Sequence, residues 1–308
     1  MSIKVLQGDC REVLKTMPDK TYHTCVTSPP YWGLRDYGED NQLGLEETPQ
    51  EYVANLVEVF REVRRVLRDD GTVWLNLGDS YSSGGRKTTT NQTVRGDTDY
   101  GVTRPPVYKG IKPKDLVGIP WRVAFALQED GWYLRQDIIW NKPNPMPESV
   151  KDRCTKSHEY IFLLSKKDKY YFDNESIKEE AINKDNLSDS FVGKQGTANY
   201  HVVSGGVGSD KKIYDVKNKR SVWTVTTKPY KEAHFATYPP DLIEPCILAG
   251  CPEEGHVLDP FGGAGTTGLV ADRLGRNATL IELNKSYADI MEKRLRNDNS
   301  LFLDLETT

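Results

Sequence analysis

The chain has 308 residues, enough to bury a full core as one large α/β domain with insertions or as two domains. Hydrophobic content of 37% and charged content of 28% suit a globular protein, and no apolar run approaches the ~20 residues of a membrane-spanning helix, so no membrane partner is expected. A net charge of −4 argues mildly against a nucleic-acid partner, and the five scattered cysteines, with no C-x-x-C pair and no histidine cluster, indicate neither a disulfide framework nor a zinc site.

The N-terminus, Met1-Ser2-Ile3-Lys4-Val5, has no signal-peptide pattern and enters a strand over 3–7, which points to the cytoplasm. That strand ends at Gly8-Asp9-Cys10, and a short helix runs from Arg11 to Met17. Tyr22 to Thr27 is a β-branched and aromatic run that reads as a buried strand. It stops at Ser28-Pro29-Pro30-Tyr31, because two consecutive prolines cannot continue a sheet ladder. The turn presents a hydroxyl, backbone carbonyls and an aromatic ring; a bare S-P-P-Y would be read as an ordinary strand-end loop.

The clearest helix begins at Thr48, where Thr48-Pro49-Gln50-Glu51 is a capping box with proline at the first helical position. Val53, Leu56, Val57, Phe60, Val63, Val66 and Leu67 form one apolar face, and Gly71 is placed to end the helix. Thr72 to Leu77 is nearly continuously apolar, as a parallel sheet covered on both faces requires. Residues 80–114 show no period, and so long a loop in a compact domain is functional or disordered. A helix over 115–130 and a strand over 132–140 follow. His158 to Leu164 is a strand expected to turn at 166–169 into Tyr170-Tyr171-Phe172, an antiparallel hairpin at a sheet edge. Residues 174–220 are polar and lysine-rich and read as an insertion. Strand 221–225, helix 241–249, strand 256–258, helix 264–274, strand 278–281 and helix 285–296 complete the chain. Strands alternating with helices at both ends predict a doubly wound α/β sheet.

Charge is uneven along the chain. Between Ser83 and Lys114 seven basic residues (Arg86, Lys87, Arg95, Arg104, Lys109, Lys112, Lys114) face two acids. A second patch holds Lys211, Lys212, Lys217, Lys219 and Arg220. Such runs are usually solvated faces and do not by themselves establish nucleic-acid binding.

Near the C-terminus, Gly263-Ala264-Gly265-Thr266-Thr267-Gly268 fits G-x-G-x-x-G between a strand and a helix, and Glu282 lies 19 residues beyond Gly263 at the end of the next strand. Small residues let the backbone approach a ligand and the acid binds ribose hydroxyls, so the pattern points to an adenosine cofactor. No lysine follows the glycines, which argues against a P-loop. A nicotinamide oxidoreductase is the rival, but too little chain follows Glu282 to complete its sheet.

Taken together, Ser28-Pro29-Pro30-Tyr31 and Asp259-Pro260-Phe261-Gly262-Gly263-Ala264-Gly265 resemble the S-adenosylmethionine-dependent amino-methyltransferases of DNA, in the motif order called class β. The resemblance covers most of the chain. It implies a doubly wound, mostly parallel seven-stranded sheet with a C-terminal-side antiparallel hairpin and a small target-recognition insertion. Residues 1–173 would be the catalytic half, 174–220 the insertion and 221–308 the cofactor half of the same domain. It further implies that Asp259, Gly262, Gly263 and Gly265 line the methionine part of the cofactor, that Glu282 holds the ribose and Asp9 reads the adenine amine, and that Cys10, Phe261, Thr266, Thr267 and Asn284 are further cofactor contacts. Phe235 and Thr237 would close over the methionine moiety. Asp9 also reads as a helix N-cap.

The chemistry implied is methylation of an exocyclic amine. Ser28 and the Pro29 carbonyl would accept the amine hydrogens, Pro30 would stiffen the turn, and Tyr31 would stack on the extruded base. Serine at position 28 favours cytosine N4 over adenine N6. Cytosine C5 chemistry needs a cysteine nucleophile, and Pro245-Cys246 qualifies only superficially, lying in an apolar helical run. Double-stranded DNA is the implied partner, with Arg86, Lys87, Lys142, Arg153, Lys156, Lys211, Lys212, Lys219 and Arg220 as phosphate contacts. The resemblance leaves room for a homodimer and a cognate restriction endonuclease, and for a prokaryotic or phage-encoded source. A DNA-binding module that keeps the fold without activity is the third reading.

Overall fold

A computed structural model describes residues 1–34, 36, 38–39, 41–82, 111–181, 215–227, 237–298 and 304–307. In chain order the elements are β1 (Ser2–Gln7), α1 (Cys10–Thr16), β2 (Tyr22–Thr27), α2 (Pro49–Val66), β3 (Leu67–Leu77), α3 (Ile119–Glu129), β4 (Tyr133–Asn141) and β5 (His158–Ser165). They continue with β6 (Glu179–Glu180), β7 (Val216–Lys217), β8 (Val222–Thr224), α4 (Pro240–Gly250), β9 (His256–Asp259), α5 (Thr266–Arg273), β10 (Asn277–Glu282), α6 (Lys285–Asn297) and β11 (Asp304–Thr307).

Among the described residues the main sheet has nine strands, in the order β11-β1-β10-β9-β2-β3-β5-β4-β8. Only β5 runs against its neighbours, antiparallel to both β3 and β4. The expected seven strands are exceeded at the edges, where the three-residue β8 and the four-residue β11 are added. The strands with buried neighbours on both faces read as apolar runs for that reason. In β3, Val73, Leu75 and Leu77 point to a core shared with α1, α2 and α3, while Trp74 points to a second core under α4, α5 and α6.

Three expectations are corrected. Helix α2 opens on its capping box, Thr48 accepting from the Glu51 N–H and Glu51 from the Thr48 N–H, but it ends at Val66 rather than near Gly71. Its last carbonyls are taken by the segment entering β2, Lys20 N–H donating to Arg65 and Thr21 N–H to Val66. Gly71 lies inside β3, where a Cβ would sit 3.2 Å from the His23 carbonyl oxygen, so the glycine serves close strand approach. The antiparallel hairpin is β4–β5, not 158–164 with 170–172. Both edges of β5 are already occupied, and Tyr171 N–H instead donates to the Asp70 carbonyl. Helix α3 starts at Ile119 rather than 115, because the Asp79 carboxylate accepts from the Gly118 and Ile119 N–H groups.

Residues 179–180 and 216–217 pair as a two-stranded ribbon, which holds the two ends of the 174–220 segment side by side. Its interior, 182–214, and loop residues 83–110 lie outside the described residues.

Candidate active site

β2 and β9 are parallel neighbours, with Thr24 opposite Val257 and Cys25 opposite Leu258. From β2 the chain moves on to β3 on one side, and from β9 it moves to β10 on the other. In an open α/β sheet, the crevice at the carboxyl ends of two such strands is where ligands bind. Here β2 delivers Ser28-Pro29-Pro30-Tyr31 and β9 delivers Pro260 to Gly265. Both loops open onto one cavity of about 900 Å³.

A buried carboxylate ties the two strand ends together. Asp259, 1% exposed, accepts from the Thr27 hydroxyl at 2.6 Å, the Tyr238 hydroxyl at 3.1 Å, the Thr267 hydroxyl and the Phe261 N–H. Burial pushes its carboxyl above the usual range, and the hydrogen bonds oppose that rise. Asp259 and Thr267 therefore face the sheet and form the joint beneath the cavity wall rather than the wall itself.

At the β2 end the Pro30 carbonyl is held by the Tyr52 hydroxyl at 2.8 Å. Among the described residues the Pro29 carbonyl accepts no such bond, and both prolines and Ser28 line the cavity. The Tyr31 hydroxyl donates to Glu159 at 2.7 Å and lies 3.2 Å from the Asn76 side-chain oxygen, with Ser28 also close enough to bear on it. Burial and the Glu159 charge raise the phenol well above its ordinary value, so it stays protonated. Its ring edge lies over Gly78, where a Cβ would come within 2.6 Å of Tyr31 Cε2. Glu159 is in turn paired with Lys142, whose ammonium also sits 4.1 Å from the Trp140 ring centroid.

At the β9 end Gly262 and Gly263 line the cavity. A Cβ on Gly262 would meet Met291 Cε at 2.8 Å, and Gly263 has φ +50°. The Glu282 carboxylate accepts from the Gly263 N–H at 2.8 Å and the Asn284 N–H at 2.9 Å. Burial raises its pKa to about 7 against those hydrogen bonds. Asn284 caps α6, accepting from the Ser286 and Tyr287 N–H groups. Phe261, Thr266, Glu282, Asn284, Asp9, Cys10 and Thr237 all line the cavity, as does Leu283. The Asp9 carboxylate is committed locally: it caps α1 through the Arg11 N–H and holds the Arg11 guanidinium at 2.5 Å. Gly265 is outside the lining; it is the left-handed N-cap of α5, and a Cβ there would meet Met291 Cγ at 2.5 Å.

Phe235 and the basic residues Arg86, Lys87, Lys211 and Lys212 lie outside the described residues. Lys142 lines the cavity, its side chain 18% exposed and paired with Glu159. Arg153 is held by Glu148 at 2.6 and 3.0 Å and covers the Tyr81 ring. Lys156 lines the cavity, with burial lowering its pKa. Lys219 lies 5.0 Å from the Trp223 ring centroid, and Arg220 pairs with Glu179 on the surface. Cys246 is wholly buried in α4, with burial holding its thiol protonated, so no nucleophile lies there.

Sequence reasoning missed Asn76, Gly78, Glu159 and Tyr238. Glu159 carried the one legible signal, a carboxylate inside an otherwise apolar strand. Asn76 and Gly78 stand at the end of an apolar strand that pairs with β2 on one side and β5 on the other, and only those pairings reveal their neighbours Tyr31 and Glu159.

Comparison with known proteins places this arrangement. A model of the N6/N4 DNA methylase family matches residues 22–293. The chain is 50% identical over 297 residues to the Type II methyltransferase M.SmaI of Serratia marcescens, covering 96% of this chain and 91% of that protein. It is 48% identical over 296 residues to M.Cfr9I of Citrobacter freundii, covering 96% and 88%. The cytosine-N4-specific PvuII DNA methyltransferase superposes with a TM-score of 0.62 at 18% identity, covering 96% of this chain and 92% of that one. The TTHA0409 protein of Thermus thermophilus, complexed with S-adenosylmethionine, gives 0.60 at 21% identity, covering 99% of both chains. The chain therefore belongs to the S-adenosylmethionine-dependent DNA amino-methyltransferases, the N6/N4 DNA methylase family.

Proposed function

We propose that this methyltransferase acts on the N4 amine of a cytosine turned out of double-stranded DNA. The observation that carries the proposal is the shared cavity, with Ser28 and the Pro29 carbonyl along one wall and Gly262, Gly263 and Glu282 along the other. The cofactor, when bound, supplies an electrophilic sulfonium methyl. The residues present suit it: a carboxylate fixed by two backbone N–H groups for ribose hydroxyls, a glycine-walled turn, and Phe261 and Leu283 for flat apolar contact.

The protein's part is placement and fixed dipoles. The amine of a nucleobase is a poor nucleophile because its lone pair is delocalised into the ring. The Pro29 carbonyl and the Ser28 hydroxyl accept its two hydrogens and draw the nitrogen toward tetrahedral geometry, freeing the lone pair. Tyr31, fixed at its hydroxyl and wedged against Gly78, offers a rigid ring to the base. The short Ser28 side chain supports cytosine as the target. Lys142, Arg153, Lys156, Lys219 and Arg220 are the described cations assigned to DNA phosphates, and the Type II designation of M.SmaI and M.Cfr9I extends the proposal to a restriction partner.

The test is incubation of unmethylated genomic DNA with purified protein and isotopically labelled S-adenosylmethionine, then mass spectrometry of the nucleosides and mapping of the labelled positions. Labelled N4-methylcytosine is the expected product. Labelled N6-methyladenine would move the target to adenine, and unlabelled nucleosides would refute methyl transfer to DNA.

A further inference from the structure

The loop joining β4 to β5 carries an exposed methionine whose setting is unlike that of a solvated loop tip. Met146 is 86% exposed, more than any other large hydrophobic side chain among the described residues, and yet it lines the mouth of the catalytic cavity. Prolines on both sides, Pro145 and Pro147, fix φ and remove two backbone donors. The chain is then pinned on either side of that tripeptide. Asn144 accepts from the Thr227 N–H at 3.0 Å and donates to the Thr227 carbonyl at 3.3 Å. Glu148 accepts two bonds from the Arg153 guanidinium and one from the Lys156 N–H at 3.0 Å. Arg153 itself lies flat over Tyr81, 3.8 Å from the ring centroid to the guanidinium carbon. The result is a stiff segment whose one apolar side chain projects into solvent.

We propose that Met146 is the wedge that enters the duplex and fills the stack where the target base has left. This rests on the reading of an extruded base given above. Turning a base out costs unpairing and unstacking, and leaves an apolar gap between the neighbouring bases. Proteins that insert between base steps use apolar side chains, methionine and leucine among them. A thioether is polarizable and slender enough to lie between two rings. The flanking prolines leave little backbone entropy to lose when the side chain is ordered in DNA. Position agrees with the role: the wedge stands at the rim, and the Ser28 and Tyr31 wall stands behind it in the same cavity. Leu34, 45% exposed on the lining, is the rival for the same task.

The experiment uses the full chain and two synthetic duplexes carrying the methylation site mapped on genomic DNA. One duplex is fully paired; in the other the target base faces an abasic position. Methyl transfer is measured for wild type, Met146→Ala, Met146→Leu and Leu34→Ala. Met146→Ala is expected to lower kcat/KM about 10-fold on the paired duplex and to stay within about twofold of wild type on the abasic one, where extrusion costs less. Met146→Leu should recover most of the loss, and the KM for S-adenosylmethionine should not move. An equal loss on both duplexes, no loss on either, or the same pattern from Leu34→Ala in place of Met146→Ala would overturn the inference. A wild-type protein inert on both duplexes would instead overturn methyl transfer itself, and the wedge with it.

Discussion

At the cavity wall two acceptors from one turn, the Ser28 hydroxyl and the Pro29 carbonyl, face the place proposed for the amine, while Tyr52 keeps the neighbouring Pro30 carbonyl occupied. Ser28→Ala removes one acceptor and leaves the Gly263–Glu282 wall untouched. It should lower kcat roughly 10²–10³-fold with S-adenosylmethionine affinity unchanged by calorimetry; full activity would remove Ser28 from the site. Glu282 gives the site a pH dependence. Its carboxyl is raised by burial from 4.5 to about 7, so in the free fold it takes up its proton as pH falls through about 7. Its contribution to stability is complete below the unfolded value of 4.5 and is lost as pH rises through about 7. Ribose hydroxyls, by contrast, donate to the ionised form. Cofactor affinity should therefore fall about 10-fold per unit as pH drops below 7, and Glu282→Gln should flatten the profile while weakening binding throughout. A flat profile in the wild type would show that no titrating carboxylate holds the ribose.

At the scale of elements, the glycine turn divides its labour. Gly262 and Gly263 shape the wall, whereas Gly265 is the left-handed N-cap of α5 pressed against Met291 of α6. A side chain there is strained twice, by φ +75° and by Met291 Cγ at 2.5 Å. Gly265→Ala should cost about 3 kcal/mol of stability, seen in denaturant unfolding, before any change in the cofactor contacts of folded protein. Loss of affinity at unaltered stability would return Gly265 to the ligand. Helix α2 was legible in sequence because capping box and apolar spacing are local signals, and both are present in the fold. Its end was not legible, because the residues that stop it, Lys20 and Thr21, act from 45 residues away. The hairpin was misplaced for the same reason: a strand's partner depends on which edges other strands have already taken.

Across the whole molecule the site exists because residues of the C-terminal end, β9 and β10, insert between β1 and β2 of the N-terminal end. The Thr27–Asp259 bond fixes the relative height of the two loops. Asp259→Asn replaces an acceptor that serves three hydroxyls and an N–H with an amide that must point donors at them. It should cost about 3 kcal/mol and lower kcat more than it raises the KM for S-adenosylmethionine, because the two walls lose their register. An Asp259→Asn protein of native stability and full activity would show that the strand pairing alone sets the geometry.

By itself the sequence determined the α/β class, most elements and the two loops that matter, since proline pairs, glycine turns and capping residues act over a few positions. Their resemblance to DNA amino-methyltransferases also carries the family. Only the tertiary structure decided that β2 and β9 are neighbours. It alone showed that Asp259 is a joint, that Lys142 faces inward to Glu159, and that Met146 stands at the cavity mouth. Each of these depends on groups distant in the chain meeting across a sheet, and no local pattern of residues encodes which strands will pair.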